Sequence, residues 1–269
     1  ATIAMAGSPI GGFLYSIAPW LPFLASACMY AVGGVAATGI REYGSDGGHI
    51  GETDGDAAKG GFCHDFLEGW SWSLHRKTLV IVLIVAALVN FGVNGIQYAI
   101  QLHLVSCGTN ATLIGFISGG ISLMMLVGSL LAGKLSDKVP VGPTVCLAYL
   151  FICLCVLPMT LTDSYWIMLV ANSFVGLPFP LINAMLLGFI FAKSPTSMQG
   201  RITVTLTVPA QVLSMFCSAV AGTLLPVFGF HGAVLVFLAV LVASAVLVIC
   251  SRSIRSIPKA AQWEHTMLR

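Results

Sequence analysis

The chain has 269 residues, 57% of them hydrophobic and only 8% charged, with a net charge of +2. A soluble domain carries about 25% charged residues, and 12 basic plus 10 acidic side chains cannot cover a soluble protein of this size. The composition excludes an ordinary soluble enzyme, a disordered chain and a nucleic-acid binder, and the small net charge gives no sign of anionic partners.

Residues 1–15 are apolar but too few for the roughly 20 that cross the bilayer hydrocarbon. They read as the end of a helix that starts upstream, so the chain is expected to be part of a larger membrane protein. No Asp, Glu, Lys or Arg occurs in 1–40, 78–133, 139–162, 164–192 or 202–251. Turn residues divide these runs into predicted spans near 17–38, 78–105, 111–133, 142–161, 165–192, 202–228 and 231–250. Lipid gives the backbone no hydrogen-bond partners, so each span is a helix or belongs to a closed barrel. Leu79–Val89 and Ala233–Cys250 do not alternate as barrel strands do. The expected fold is an all-α membrane protein, a multi-span helical bundle.

Segment 39–77 is long, polar and rich in Gly and acidic residues (Glu42, Asp46, Glu52, Asp54, Asp56), and reads as a flexible linker. It separates one and a half spans in 1–38 from six spans in 78–250, and 251–269 forms a tail. Every Lys and Arg falls in four segments: 39–77, 134–141, 193–201 and the tail. The alternate turns, near Ser16, 106–110, 162–164 and 229–230, hold none. Basic residues stay cytoplasmic during insertion, so linker and tail are both predicted to be cytoplasmic.

In span 78–105, Asn90, Asn94, Gln97 and Gln101 fall within roughly 60° of one another at about 100° per residue. Amides are costly against lipid, so this stripe lines a cavity or bonds neighbouring helices. Tyr98 stands beside it, to stack on a ligand or to anchor the helix. Span 165–192 carries Asn172 and Asn183, eleven residues apart and so on one expected face. Between them, Gly176-Leu177-Pro178-Phe179-Pro180 is expected to kink or break the helix, because Pro178 and Pro180 lack backbone donors. In span 202–228, Thr203, Thr207, Gln211, Ser214 and Ser218 fall within about 80°. They line the cavity or simply bond their own backbone. Met124, Met125, Phe116 and Phe179 are candidate adaptable lining.

Most of the eight Cys lie inside spans, where a thiol behaves as a small hydrophobe, and no disulfide is implied. Cys63-His64-Asp65 is too short a cluster for a metal site. No metal or cofactor is expected. Asn110-Ala111-Thr112 matches a glycosylation sequon in a short loop against the membrane. His103 reads as an interfacial residue near a helix end, and Asp137 and Asp163 sit in loops.

A long linker followed by six spans resembles the second half of a major facilitator superfamily transporter, preceded by the end of span five and all of span six. Gly133-Lys134-Leu135-Ser136-Asp137-Lys138 resembles the family's cytoplasmic signature. Here, however, Pro140, Val141 and Gly142 replace its expected Gly and basic continuation. Gly7-Ser8-Pro9-Ile10-Gly11-Gly12 resembles the Gly-Pro stretch of drug exporters, with Pro9 displaced by one position. Gly200-Arg201 resembles the loop before span eleven. The resemblance implies two six-helix bundles rocking about a central cavity, of which this chain is an incomplete, C-terminal part. It implies gating roles for Asp137, Lys138 and Arg201, and packing or kink roles for Gly7, Pro9, Gly11 and Gly12. The implied branch is bacterial multidrug, macrolide or siderophore exporters of the inner membrane.

The leading expectation is therefore a secondary transporter, not an enzyme, that exports a small neutral or amphipathic molecule. The candidate substrate residues are Asn90, Asn94, Gln97, Tyr98, Gln101, Asn172, Asn183 and Gln211. The partners are the substrate and the lipid bilayer. Any proton coupling would run through a carboxylate in the missing half, since no span of 78–250 holds one. The alternatives are a seven-span receptor or sensor, and a membrane-embedded enzyme, which would need clustered His, Asp or Glu at one depth.

Overall fold

A computed structural model describes residues 14, 15, 17, 18, 20–38, 76–136, 138–194 and 199–259. Gly7, Pro9, Gly11, Gly12, Asp137, segment 39–75 and residues 260–269 lie outside the described residues, as does the side chain of Arg201. The described elements are helical: α1 Leu21–Thr38, α2 Lys77–Ser106, α3 Ala111–Leu135, α4 Val141–Val156, α5 Tyr165–Val175, α6 Phe179–Ala192, α7 Gln199–Met215, α8 Cys217–Cys250 and α9 Arg252–Arg255. A 3₁₀ turn, Leu157–Thr160, extends α4. Five stretches are long and apolar enough to cross a membrane: Thr78–Ser106, Ala111–Leu135, Val141–Thr160, Tyr165–Ala192 and Ile202–Cys250. In α1, an apolar helix, the side chains from Phe23 to Val35 are exposed.

The last of these stretches has 49 residues. At about 1.5 Å per residue it would run more than twice the roughly 30 Å hydrocarbon thickness as a straight rod. It is not straight. Gly229 has φ 68° and ψ −176°, outside the helical region, in a conformation that side chains with a Cβ rarely adopt. The chain reverses there. Before the reversal, Cys217 Sγ donates to Phe91 O of α2 at 3.2 Å. At it, Phe230 stacks on His103 of α2, with ring centroids 4.4 Å apart. After it, Phe237 returns to Phe91, 5.7 Å between centroids. Spans 202–228 and 231–250 are thus the two limbs of a hairpin on α2.

Span 165–192 is broken. Residues 176–178 form turns between α5 and α6. The break is seated on α3 by two glycines. A Cβ on Gly128 would meet Leu177 O, and one on Gly176 would meet Ile121 O. Without hydrophobic drive between helices in lipid, such close backbone approach is what packs them. The core runs through fully buried Leu79, Ile96, Ile100, Ile117, Ile152, Met168 and Phe237. Leu130, Leu147, Leu154 and Trp166 point outward, each at least 65% exposed, as lipid-facing side chains would.

The two ends of the bundle differ. One gathers Arg76, Lys134, Lys138, Lys193, Arg252, Arg255 and Lys259. There 251–259 folds back on the bundle. Gly142 N–H donates to Ile257 O at 3.1 Å, and Ile254 and Ile257 are buried. At the other end Tyr165 Oη donates to Leu113 O at 2.9 Å. Asn110 caps α3 by accepting from Thr112 N–H at 2.9 Å, so the sequon residue works as a helix cap.

Candidate functional site: an amide-lined cavity

The polar stripe of α2 faces open space. Asn90, Asn94, Gln97, Tyr98 and Gln101 line a cavity of about 450 Å³. Its opposite wall is Ser118, Ile121 and Met125 of α3 together with Phe179 of α6. A second cavity of about 310 Å³ continues toward the basic end, where α2, α4, α6, α7 and α9 converge. It takes in Asn183 of α6 and Thr207 and Gln211 of α7 among apolar side chains. Asn90 and Phe179 border both cavities, so the two spaces adjoin along α2. Among the described residues, no Asp, Glu, Lys or Arg lines either one.

The break in span 165–192 positions Phe179. It is the first residue of α6, directly after the turns that Gly128 and Gly176 hold against α3. Met125 lines the cavity as expected of an adaptable thioether, whereas Met124 and Phe116 line neither space.

Two of the amides are bonded locally. Asn90 Nδ2 donates to Ala86 O at 2.8 Å, and Asn94 Nδ2 donates to Asn90 O at 2.8 Å. Both bonds run one turn back along α2 rather than across to another helix. Gln97 Oε1 is buried and has no hydrogen-bond partner. On α7, Thr203 Oγ1 donates to Gln199 O at 2.9 Å and Thr207 Oγ1 to Thr203 O at 2.8 Å. Ser214 Oγ donates to Gln211 O at 2.9 Å. These are backbone bonds of the kind hydroxyls make within helices. Ser218 lies past the turn at Phe216, on α8.

Asn172 does not join the others. It is 1% exposed on α5 and absent from both cavity walls. Its Nδ2 reaches Ile117 O of α3 at 3.4 Å. The eleven-residue arithmetic that aligned it with Asn183 assumes one continuous helix. The turns at 176–178 interrupt the 3.6-residue register, so the two Asn no longer share a face.

Of the residues given gating roles, Lys138 is exposed, and its N–H donates to Leu135 O at 3.0 Å. Sequence reasoning missed one polar cluster at the end away from the basic residues. Asp163 meets two imidazoles: His231 Nε2 lies 3.4 Å from Oδ2, and His103 Nε2 lies 3.8 Å from Oδ1. Cys107 Sγ lies 3.8 Å from the same His103 nitrogen. His103 and Cys107 stand one turn apart at the end of α2, but Asp163 and His231 come from distant segments, so no local motif announces the cluster. Among the described residues, no group of three or more His, Cys, Asp or Glu is placed to hold a metal ion.

The family model described as Major Facilitator Superfamily matches residues 2–208 and, in a second overlapping match, 82–267. No curated protein matches the chain.

Proposed function

The chain belongs to the Major Facilitator Superfamily, a family of membrane transporters, and from that premise we propose that it exports a small neutral or amphipathic molecule by alternating access. One observation carries the reading: adjoining cavities along α2, walled by amides and hydroxyls among aliphatic side chains, Phe and Met, with no charged side chain among the described residues. A charged substrate brought into such a space would lose hydration without gaining a counter-ion. A neutral molecule with an apolar body loses far less and finds amide partners. The two short own-helix bonds of Asn90 and Asn94 favour the cavity role over interhelical bonding for this stripe.

In this reading Asn90, Asn94, Gln97, Tyr98, Gln101, Asn183 and Gln211 contact substrate, while Asn172 helps pack α5 on α3. The broken span puts Phe179 at the junction of the two spaces, where a shift of α6 would narrow or widen the passage. Export, rather than import, follows from the resemblance of the Gly7–Gly12 stretch to drug exporters. The same resemblance underlies the multidrug, macrolide or siderophore branch and the bacterial inner membrane. All four basic segments are cytoplasmic, including the linker and the tail. Residues 1–38 close an N-terminal bundle that packs against 78–250. Asp137, Lys138 and Arg201 gate the cytoplasmic side, and any proton carrier lies in the N-terminal bundle. The receptor alternative rested on a count of seven spans and draws nothing from the family match.

Efflux of a neutral fluorescent dye from preloaded cells producing the full-length protein tests the reading. Faster loss than from cells producing Gln97→Ala at equal abundance is expected. Equal loss from both and from cells without the protein would contradict it for that substrate class.

A further inference from the structure

Resting on the transporter reading, we infer that the substrate presents a hydrogen-bond donor, an uncharged N–H or O–H, to the oxygen of Gln97. The argument starts from what each amide has left to offer. A backbone carbonyl only accepts, so an Asn bonded to one must turn its NH₂ group toward it. Asn90 does this to Ala86 O and Asn94 to Asn90 O, each at 2.8 Å. Both side-chain amides therefore commit a donor to α2 itself.

Gln97 is the complementary case. Gln97 lines the 450 Å³ cavity, and its Oε1 is buried and has no partner. Buried polar atoms are nearly always paired, and an unpaired one in a native structure calls for an explanation. The other walls do not supply one. Ile121, Met125, Phe179 and Val93 carry no donor beyond the backbone, the side-chain donors of Ser118, Tyr98 and Gln101 are not bonded to Oε1, and no Lys or Arg lines the space among the described residues. Asn90 and Asn94 each keep a second N–H, so the stripe can still donate, but the buried atom left without a partner is an acceptor, the Gln97 oxygen. A ligand that only accepts, such as an ether or a tertiary amide, would leave Oε1 unpaired. A ligand that donates satisfies it while its apolar body packs on Phe179 and Met125. The matching class is a neutral amphipathic molecule with a secondary amide or a hydroxyl near its aromatic or aliphatic part.

Matched probes test this: neutral anilides with a secondary N–H, each paired with its N-methyl counterpart, which lacks only the donor. Binding to the purified full-length protein in nanodiscs is measured by thermal stabilisation over a concentration series, alongside efflux from cells. The N–H member of each pair is expected to bind about five- to tenfold more tightly, the worth of one net hydrogen bond. Gln97→Met, which keeps the length but removes the amide, should erase that gap between the members of each pair. Gln97→Glu keeps an acceptor and should preserve the preference for the N–H member. Equal affinity of both members in the wild type overturns the inference and leaves the transporter reading intact. A gap that survives Gln97→Met likewise overturns it. Failure of the folded protein to bind or export either member of any pair contradicts the neutral-substrate reading itself.

Discussion

Phe237 lays its ring where a side chain on Gly95 would have to stand. The contact joins α2, which carries the amide stripe, to the returning limb of α8, and Phe237 is fully buried there. Neighbouring Gly92 makes the same kind of room for Leu241. The cavity wall thus owes its position to close helix packing on its far side.

Adding a side chain at position 95 is therefore costly. Overpacking a filled core typically costs about 1–3 kcal/mol. Gly95→Val is expected to lower the yield of monodisperse protein extracted from membranes, measured by size-exclusion chromatography. Combining it with Phe237→Ala should give less loss than the two single effects added, because the sites share one volume. Strict additivity would show that the ring and the glycine do not compete for that space.

The contact of Asp163 with His231 and His103 looks strong on paper but should add little to stability. Asp163 is 58% exposed and His231 43% exposed, and solvent-exposed pairs contribute about 0–1 kcal/mol. Asp163→Asn should leave protein abundance and the thermal unfolding midpoint nearly unchanged. A fall of many degrees would show that this cluster holds the end of the bundle together.

Topology is open to direct labelling. Cys107 is exposed in the turn after α2, which makes it a native reporter. In a background with the other cysteines removed, an impermeant thiol reagent applied to intact cells should label Cys107. It should also label Ser164→Cys, but not Lys138→Cys. Both substituted positions are exposed, so accessibility alone does not decide the result. Ser194 would report poorly, because it is buried and its Oγ donates to Ile190 O at 2.7 Å. The reverse labelling pattern would place the basic segments outside.

Charge-free runs made the spans legible, and the 100° arithmetic made the α2 stripe legible, because both depend only on local sequence. Asn90 through Gln101 sit on one uninterrupted helix, so their predicted common face survives into the structure. Asn172 and Asn183 sit on either side of a break, and the same arithmetic misleads there. The sequence marks that break with Pro178 and Pro180 but does not say how far it rotates the chain. The opposite wall was harder to see. Ser118 and Ile121 lie on α3 with no polar periodicity to single them out. The Asp163 cluster draws on residues 60 to 128 positions apart in sequence, assembled only when the Gly229 reversal brings His231 beside the start of α5. The return of 251–259 onto the bundle, which buries Ile254 and Ile257, was also hidden, since its Ser and Arg residues read as tail.

The central claim is that the amide stripe of α2 is a substrate wall and not a packing device. Asn172 supplies the internal contrast, since it is buried and bonded across to α3. The most direct measurement compares initial efflux rates of a neutral dye, normalised to folded protein at the membrane, for Asn94→Ala, Gln97→Ala and Asn172→Ala. Loss of a buried interhelical partner should cost about 1–3 kcal/mol, so Asn172→Ala is expected to reduce folded protein while leaving the normalised rate near wild type. Asn94→Ala and Gln97→Ala are expected to keep abundance and lower or redirect efflux severalfold. If the two stripe variants instead lose folded protein and keep a normal rate per molecule, the stripe is interhelical packing and the account is wrong.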